Sequence, residues 1–166
     1  MIEVLQKVPL APQTFYGIGG EADEFCVCRS SNHLGKFWKQ TLDQHIPHLI
    51  LGRGANTVLS DKGFRGRVFS LRFEAMKYMG EGIFEVEAGR NFQEFIEFTT
   101  THGYRDLCNL SGIPGVVGGF IRGNAGAMGI ETSDCILEIH YLDPNGIVQR
   151  RTKVDTHFVY RGSWFK

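Results

Sequence analysis

Residues 111–129 read SGIPGVVGGFIRGNAGAMG, with glycine at 112, 115, 118, 119, 123, 126 and 129 and Pro114 inside the first turn. Glycine permits positive φ and lets backbone approach a ligand closely. Seven glycines in so short a run would cost a helix or strand heavily in conformational entropy. A flexible linker is rich in Ser and polar residues, whereas this run interleaves Ile113, Val116, Val117, Phe120 and Ile121. The stretch therefore reads as a backbone surface for a flat or anionic ligand, since successive N–H groups in such turns form concave anion nests.

Working outward, residues 91–94 (NFQE) have the form of a capping box. They predict a helix with Phe92, Phe95, Ile96 and Thr99 on its apolar side, stopped at Gly103. After the glycine stretch, 135–142 and 147–152 alternate around the turn signal DPNG at 143–146, which predicts a hairpin. Upstream, 24–29 reads as a strand, with Cys26 and Cys28 on one face. Ser30, Ser31 and Asn32 offer caps for a helix that runs to about His45. Strands are expected at 48–51, 67–73 and 83–88. The strand–helix–strand order favours parallel neighbours with a loop at a strand's carboxyl end. The class is α+β, with two lobes at 1–70 and 71–166 and a boundary within 66–78.

Composition narrows the function. Of 166 residues, 42% are hydrophobic and 22% charged, and the net charge is zero without a basic block. Phosphate-tracking nucleic-acid binding needs clustered Lys and Arg, so no nucleic acid is expected as a partner. There is no leader-like start and no apolar run of membrane length, so the expectation is a cytoplasmic protein without a membrane partner. Four cysteines, at 26, 28, 108 and 135, lack zinc-pair spacing and read as reduced and partly buried. No metal site is expected.

Two further segments bear on chemistry. LGRGANT at 51–57 follows a strand directly. Gly52 and Gly54 allow a tight turn whose N–H groups could hold a diphosphate, with Asn56 and Thr57 adding side-chain bonds. It fits neither the Walker A nor the Rossmann pattern, and an ordinary strand-to-loop turn is equally consistent. Two glycine loops on one small chain suggest a shared dinucleotide. FVYRGS at 158–163 presents Arg161, able to bond a carboxylate or phosphate bidentately, beside Tyr160. Taken alone, this reads as a surface arginine in a C-terminal segment.

In order, residues 14–22 (TFYGIGGEA), LGRGANTVLSD at 51–61, the glycine stretch and YRGSWF at 160–165 resemble the UDP-N-acetylenolpyruvoylglucosamine reductase family, which acts in peptidoglycan precursor synthesis. The resemblance covers nearly the whole chain. It implies a two-lobed FAD-binding fold of the vanillyl-alcohol-oxidase type. It also implies FAD and NADPH as cofactors and a nucleotide-sugar substrate, UDP-N-acetylglucosamine enolpyruvate. FAD-binding residues carried over are Gly52, Arg53, Gly54, Ala55, Asn56 and Thr57 in the first loop. In the second they are Gly112, Ile113, Pro114, Gly115, Gly118, Gly119, Asn124, Ala125, Gly126 and Ala127. Arg161 matches the catalytic arginine, with Tyr160 and Ser163 as substrate contacts. Ala55 and Met128 depart from the family's usual Ser and Tyr. The resemblance further implies a third, substrate-binding domain with a serine proton donor and a glutamate. The expectation is that this domain is absent here and that the chain alone is inactive. Alternative readings are a non-catalytic FAD-binding module or another flavin oxidase or dehydrogenase of the same fold.

Overall fold

A computed structural model describes residues 2–166, with the side chain of Asn32 outside the described residues. The chain divides into two units, Met1–Phe73 with Leu142–Val148, and Glu74–Tyr141 with Gln149–Lys166. The division falls at 73/74, and the turn at 142–148 belongs to the first unit although it lies far along the chain.

The first unit contains β1 (Ile2–Pro9), β2 (Glu21–Cys28), α1 (Leu34–Asp43), β3 (His48–Leu51) and β4 (Phe64–Leu71). They form one sheet in the order β1-β2-β4-β3. β1 is antiparallel to β2, while β2 and β3 each run parallel to β4. The expected parallel arrangement holds, but β4 lies between the two strands that α1 connects. β1 was not anticipated. Its run of largely exposed residues carries little two-residue alternation, as suits an edge strand.

Both sheet faces are covered. On one, Leu10, Ala22, Phe25, Val27, Leu51 and Val68 form a buried cluster. On the other, Cys26, Cys28, Leu34 and Phe69 are buried, with Phe37, Trp38 and Leu142 against them. Burial pushes the Cys26 thiol up to about 12 and that of Cys28 to about 11, because a thiolate loses its hydration there. α1 follows a 3-10 turn at Ser31–His33 and has His33, which makes no side-chain cap bond, at its N-cap position. Gly35 explains why 142–148 joins this unit: a Cβ there would lie 2.2 Å from the Gly146 carbonyl oxygen. Trp38 Nε1 donates to the Asp143 carbonyl at 3.1 Å. Arg67 is buried, bonded to Glu24 and, at 2.9 Å, to Thr41 Oγ1.

The second unit contains the hairpin β5 (Met76–Gly80) and β6 (Ile83–Val86), then α2 (Phe92–Thr101), α3 (Val117–Gly123) and the short strands β7 (Gly126–Ala127) and β8 (Ile130–Glu131). β9 (Glu138–Leu142) and β10 (Val148–Thr152) pair as the predicted hairpin, with Cys135 falling in a preceding 3-10 turn. Phe92, Ile96, Leu107, Leu110, Val117 and Phe120 form this unit's core. Phe92 and Phe120 stack at 3.6 Å between centroids.

Asn91 caps α2 as predicted, its side chain accepting from the Gln93 and Glu94 N–H groups. The other half of the capping box is replaced. Glu94 turns to Arg90 instead, at 3.0 Å. The larger correction is α3. The glycine stretch is not loop throughout, because a two-turn helix forms inside it. Burial of Val117 and Phe120 against α2 outweighs the entropic cost of Gly118 and Gly119, as tertiary packing commonly overrides propensity.

Candidate functional site

In the first unit the turn at 52–57 leaves β3 at its carboxyl end. Gly54 has φ +62, and a Cβ there would lie 2.6 Å from Thr14 Cα. Glycine is thus required by both dihedral and space. Among the described residues, the N–H groups of Arg53, Gly54, Ala55 and Asn56 donate to no acceptor in the chain. The side chains of Arg53, Asn56 and Thr57 likewise have no hydrogen-bond partner among the described residues. Arg53 and Asn56 are exposed. Four consecutive unpaired donors on a left-handed turn make a concave positive surface suited to a diphosphate. Buried N–H groups left without partners are rare in proteins, so these groups must meet water or a ligand.

The turn is braced from behind. Gly54 O accepts from Phe15 N at 3.2 Å, and Ser60 O accepts from the N–H groups of Gly20 and Gly63 at 2.9 and 2.8 Å. A Cβ on Gly20 would lie 2.1 Å from the Asp61 carbonyl oxygen. The IGG triplet at 18–20 therefore serves to let two loops pass in backbone contact. Nothing in the sequence of 14–22 signals this role, because the partner loop at 60–63 lies about 40 residues away along the chain.

In the second unit, Ala88, Arg90 and Gly115 carbonyls accept from Gly118, Val117 and Phe92 N–H groups at 2.9, 2.9 and 3.1 Å. Gln93 Oε1 accepts from the Gly112 N–H at 3.1 Å and Ser111 Oγ at 2.9 Å. The glycines then fall into two sets. A Cβ on Gly115 would meet the Phe120 ring at 2.9 Å, on Gly118 the Ala88 Cβ at 3.1 Å, and on Gly126 the Ile130 carbonyl oxygen at 2.8 Å. These three accommodate the protein's own packing. At Gly112 and Gly123 a Cβ would meet nothing, and at Gly119 only Val116 Cγ2 at 3.8 Å. Those three, like Gly129, border open space, where this stretch can admit a flat ligand to its backbone.

Ile113 packs on the core beside Ala125 and Ala127, and Pro114 is exposed. Asn124 is fully buried and left-handed, with φ +43. Its Nδ2 donates to Glu131 Oε2 at 2.8 Å and to the Val159 carbonyl at 3.0 Å, and its Oδ1 accepts from the Ser133 N–H at 3.0 Å. Both amide hydrogens are committed, so any contact of Asn124 with a ligand comes from its backbone. Asn124→Ala is expected to destabilise the chain by about 2–4 kcal/mol, because it strands several buried partners and removes a residue that tolerates the left-handed region. Chemical denaturation at 25 °C measures it, and a loss below about 0.5 kcal/mol, the scale of a neutral surface change, would contradict the clasp.

That clasp also positions Arg161. Val159 and Gly162 exchange two N–H···O bonds, each 3.0 Å, which closes a turn with Tyr160 and Arg161 at its tip. Arg161 has φ +56, is exposed, and lies with its guanidinium carbon 5.2 Å from the Tyr160 ring centre. No carboxylate pairs with Arg161 among the described residues. Lys166 Nζ donates to the Arg161 carbonyl at 2.8 Å, and Arg122 Nη2 donates to the Lys166 carbonyl at 3.3 Å. The backbone carbonyls of Arg161 and Lys166 thus hold the Lys166 and Arg122 side chains, contacts that the separate motifs did not reveal. Ser163 Oγ donates to the Arg122 carbonyl at 2.9 Å and accepts from Phe165 N. Its hydroxyl hydrogen holds the segment together and is not free for a substrate in this arrangement.

The sequence profile of the FAD binding domain family matches residues 22–152. Over 153 residues the chain is 35% identical to the UDP-N-acetylenolpyruvoylglucosamine reductase of Protochlamydia amoebophila, covering 92% of this chain and 51% of that protein. Its identity to the same-named protein of Aquifex aeolicus is 30% over 165 residues, 97% of this chain and 55% of that one. The crystal structure of the Thermus caldophilus UDP-N-acetylenolpyruvylglucosamine reductase superposes with a TM-score of 0.75 at 25% identity, over 98% of this chain and 56% of that one. Aclacinomycin oxidoreductase shares the fold, with a TM-score of 0.66 at 15% identity over 91% of this chain and 34% of that one. The chain spans about half the length of the curated relatives it matches.

Proposed function

Because the chain belongs to the FAD binding domain family and has the α+β fold of vanillyl-alcohol-oxidase-type flavoenzymes, we propose that it is the flavin-holding part of a UDP-N-acetylenolpyruvoylglucosamine reductase. The substrate is UDP-N-acetylglucosamine enolpyruvate, the product UDP-N-acetylmuramate and the reductant NADPH, in cytoplasmic peptidoglycan precursor synthesis. The observation that carries this reading is the run of unpaired N–H groups from Arg53 to Asn56 on the Gly54 turn. It fits the diphosphate of FAD. The open backbone at Gly112, Gly119 and Gly123 fits a flat ring system.

FAD supplies, when bound, a two-electron carrier between a nicotinamide and the enolpyruvyl double bond. The chain's own residues set the electrostatics. Adding hydride to the terminal carbon of an enolpyruvyl ether drives charge onto the neighbouring carboxylate, which becomes enolate-like. Arg161 carries an unpaired guanidinium on a tight turn, so it meets that charge without reorganising. Lys166 and Arg122 add positive potential for an anionic substrate. Protonation of the adjacent carbon needs a general acid, which we place in the part of the relatives' length that this chain does not span.

Titration with FAD tests the assignment. The purified chain is expected to quench flavin fluorescence saturably and to show bound-flavin absorption bands. Acid precipitation is expected to release all of the flavin, since neither glycine loop offers a histidine or cysteine for covalent attachment. Absence of saturable binding by the folded chain would remove the proposal.

A further inference from the structure

Where β4 begins, one exposed guanidinium gathers three acceptors. Arg65 Nη1 donates to Asp23 Oδ1 at 2.7 Å, and Nη2 donates to the Glu21 carbonyl at 3.0 Å and the Lys62 carbonyl at 2.9 Å. Asp23 Oδ1 also accepts from Lys7 Nζ at 2.6 Å. The sheet itself is irregular at this point. β2 pairs with β4 through Ala22–Phe64 and then Glu24–Arg67, so Asp23 alone stands opposite Arg65 and Gly66. A bulge of this kind re-aims a side chain, and bulges gather beside functional sites. An isolated exposed ion pair holds little, and these two side chains are 58% and 33% exposed. The planar fork makes the difference, because it grips the start of β2 and the loop before β4 at the same time.

That loop, 60–63, follows closely on the glycine turn of the first unit. The Ser60 carbonyl accepts from both Gly20 N at 2.9 Å and Gly63 N at 2.8 Å. A Cβ at Gly63 would lie 2.0 Å from the Glu21 carbonyl oxygen and 2.6 Å from Arg65 Nη2. The loop and residues 20–21 are therefore in backbone contact beside the guanidinium. Residues 10–20 carry the contact onward. Leu10 N donates to Gly20 O at 3.0 Å, Ala11 N to Gly19 O at 3.0 Å and Phe15 N to Gly54 O at 3.2 Å. We propose that Arg65 is a positioning residue for the ligand-binding turn at 52–57: by fastening Glu21, Asp23 and Lys62 it fixes the two loops that brace that turn. This rests on the flavin assignment above and deepens it by naming what preorganises the unpaired donors, since donors already ordered in the free chain spare part of the entropic cost of binding. Nη2 has both hydrogens committed to backbone and Nη1 turns to Asp23, so Arg65 acts through the loops and not by touching the ligand.

Three variants separate this role from long-range charge. By fluorescence titration, Arg65→Ala is expected to bind FAD roughly 3–10-fold more weakly, the scale of exposed charge-assisted bonds. Arg65→Lys keeps the charge but not the fork, so it is expected to recover little of the loss. Asp23→Ala removes a negative charge, yet it is expected to weaken binding as well, because the fork loses its anchor. An Arg65→Lys variant with parental affinity, or an Asp23→Ala variant that bound FAD more tightly, would overturn the proposal by showing that charge alone acts. Amide hydrogen exchange in the ligand-free chain gives a readout independent of flavin. In Arg65→Ala the Gly20, Gly63 and Phe15 N–H groups are expected to exchange roughly 3–10-fold faster through local opening. The Phe92 and Val117 N–H groups, bonded within the second unit, are expected to keep parental rates. Unchanged exchange at the first three would overturn the proposal, and so would a uniform rise at all five, the mark of global destabilisation. A parent chain that bound no FAD would remove the flavin assignment, and the exchange rates would then decide by themselves whether Arg65 holds the turn.

Discussion

Arg161→Ala is expected to lower turnover by roughly 10²–10³-fold, the usual consequence of removing one preorganised charge-stabilising donor. The measurement is NADPH oxidation dependent on UDP-N-acetylglucosamine enolpyruvate. Residues 1–166 would be grafted in place of the matching half of the Thermus caldophilus protein, which they cover at a TM-score of 0.75. The expectation comes from geometry. Arg161 stands on a turn closed by two 3.0 Å bonds, in a left-handed conformation unusual for arginine. Such strain is commonly found where a side chain must be aimed. Arg161→Lys keeps a charge but loses the planar fork, so it is expected to restore only part of the rate. If the alanine variant turned over at the parental rate, the charge-stabilising role would pass to Arg122 or Lys166. The 166-residue chain by itself is expected to show negligible turnover, because the proton donor is placed outside it.

Gly119→Leu is expected to lower FAD affinity by roughly 10–100-fold, the cost of forcing a side chain into space that a ligand must fill. The same change is expected to stabilise the ligand-free chain by about 0.8 kcal/mol, since leucine replaces glycine inside α3. The two effects have opposite signs, which is what makes the test informative. A Cβ at 119 has only Val116 Cγ2 nearby, at 3.8 Å, so the protein has no packing reason of its own for glycine there. At Gly126, by contrast, a Cβ would strike the Ile130 carbonyl oxygen at 2.8 Å. Gly126→Val would disrupt the β7–β8 pair directly and would say little about flavin. Thermal unfolding of the ligand-free variant and fluorescence titration with FAD measure both halves. A more stable Gly119→Leu chain that bound FAD with parental affinity would show that this glycine borders solvent and not the cofactor.

Elements with strong local signals are legible in the sequence. Asn91 caps α2 because a short acceptor side chain precedes an apolar run, and the DPNG turn closes a hairpin because Asp143 and Gly146 suit its dihedrals. Those signals act within a few residues, where backbone dihedrals and side-chain oxygens meet without help from the rest of the chain. The two glycine loops could likewise be recognised in the sequence, and with 14–22 and 160–165 they make four motifs whose order carries the family resemblance. What each glycine is for was not legible. Gly115, Gly118 and Gly126 look like Gly112, Gly119 and Gly123 in the sequence. They differ only in whether Phe120, Ala88 or Ile130 stands within reach of an added Cβ. α3 was hidden for the same reason, since its stability comes from Val117 and Phe120 meeting Phe92 across the fold. Asn124 and Ser163 read as ligand contacts by position, yet partners at 131, 133, 159 and 122 already hold their side chains. Local chemistry thus determined where the turns and caps lie, while long-range packing decided which polar atoms and which empty spaces remain for a ligand, because burial and hydrogen-bond satisfaction depend on neighbours that sequence spacing does not specify.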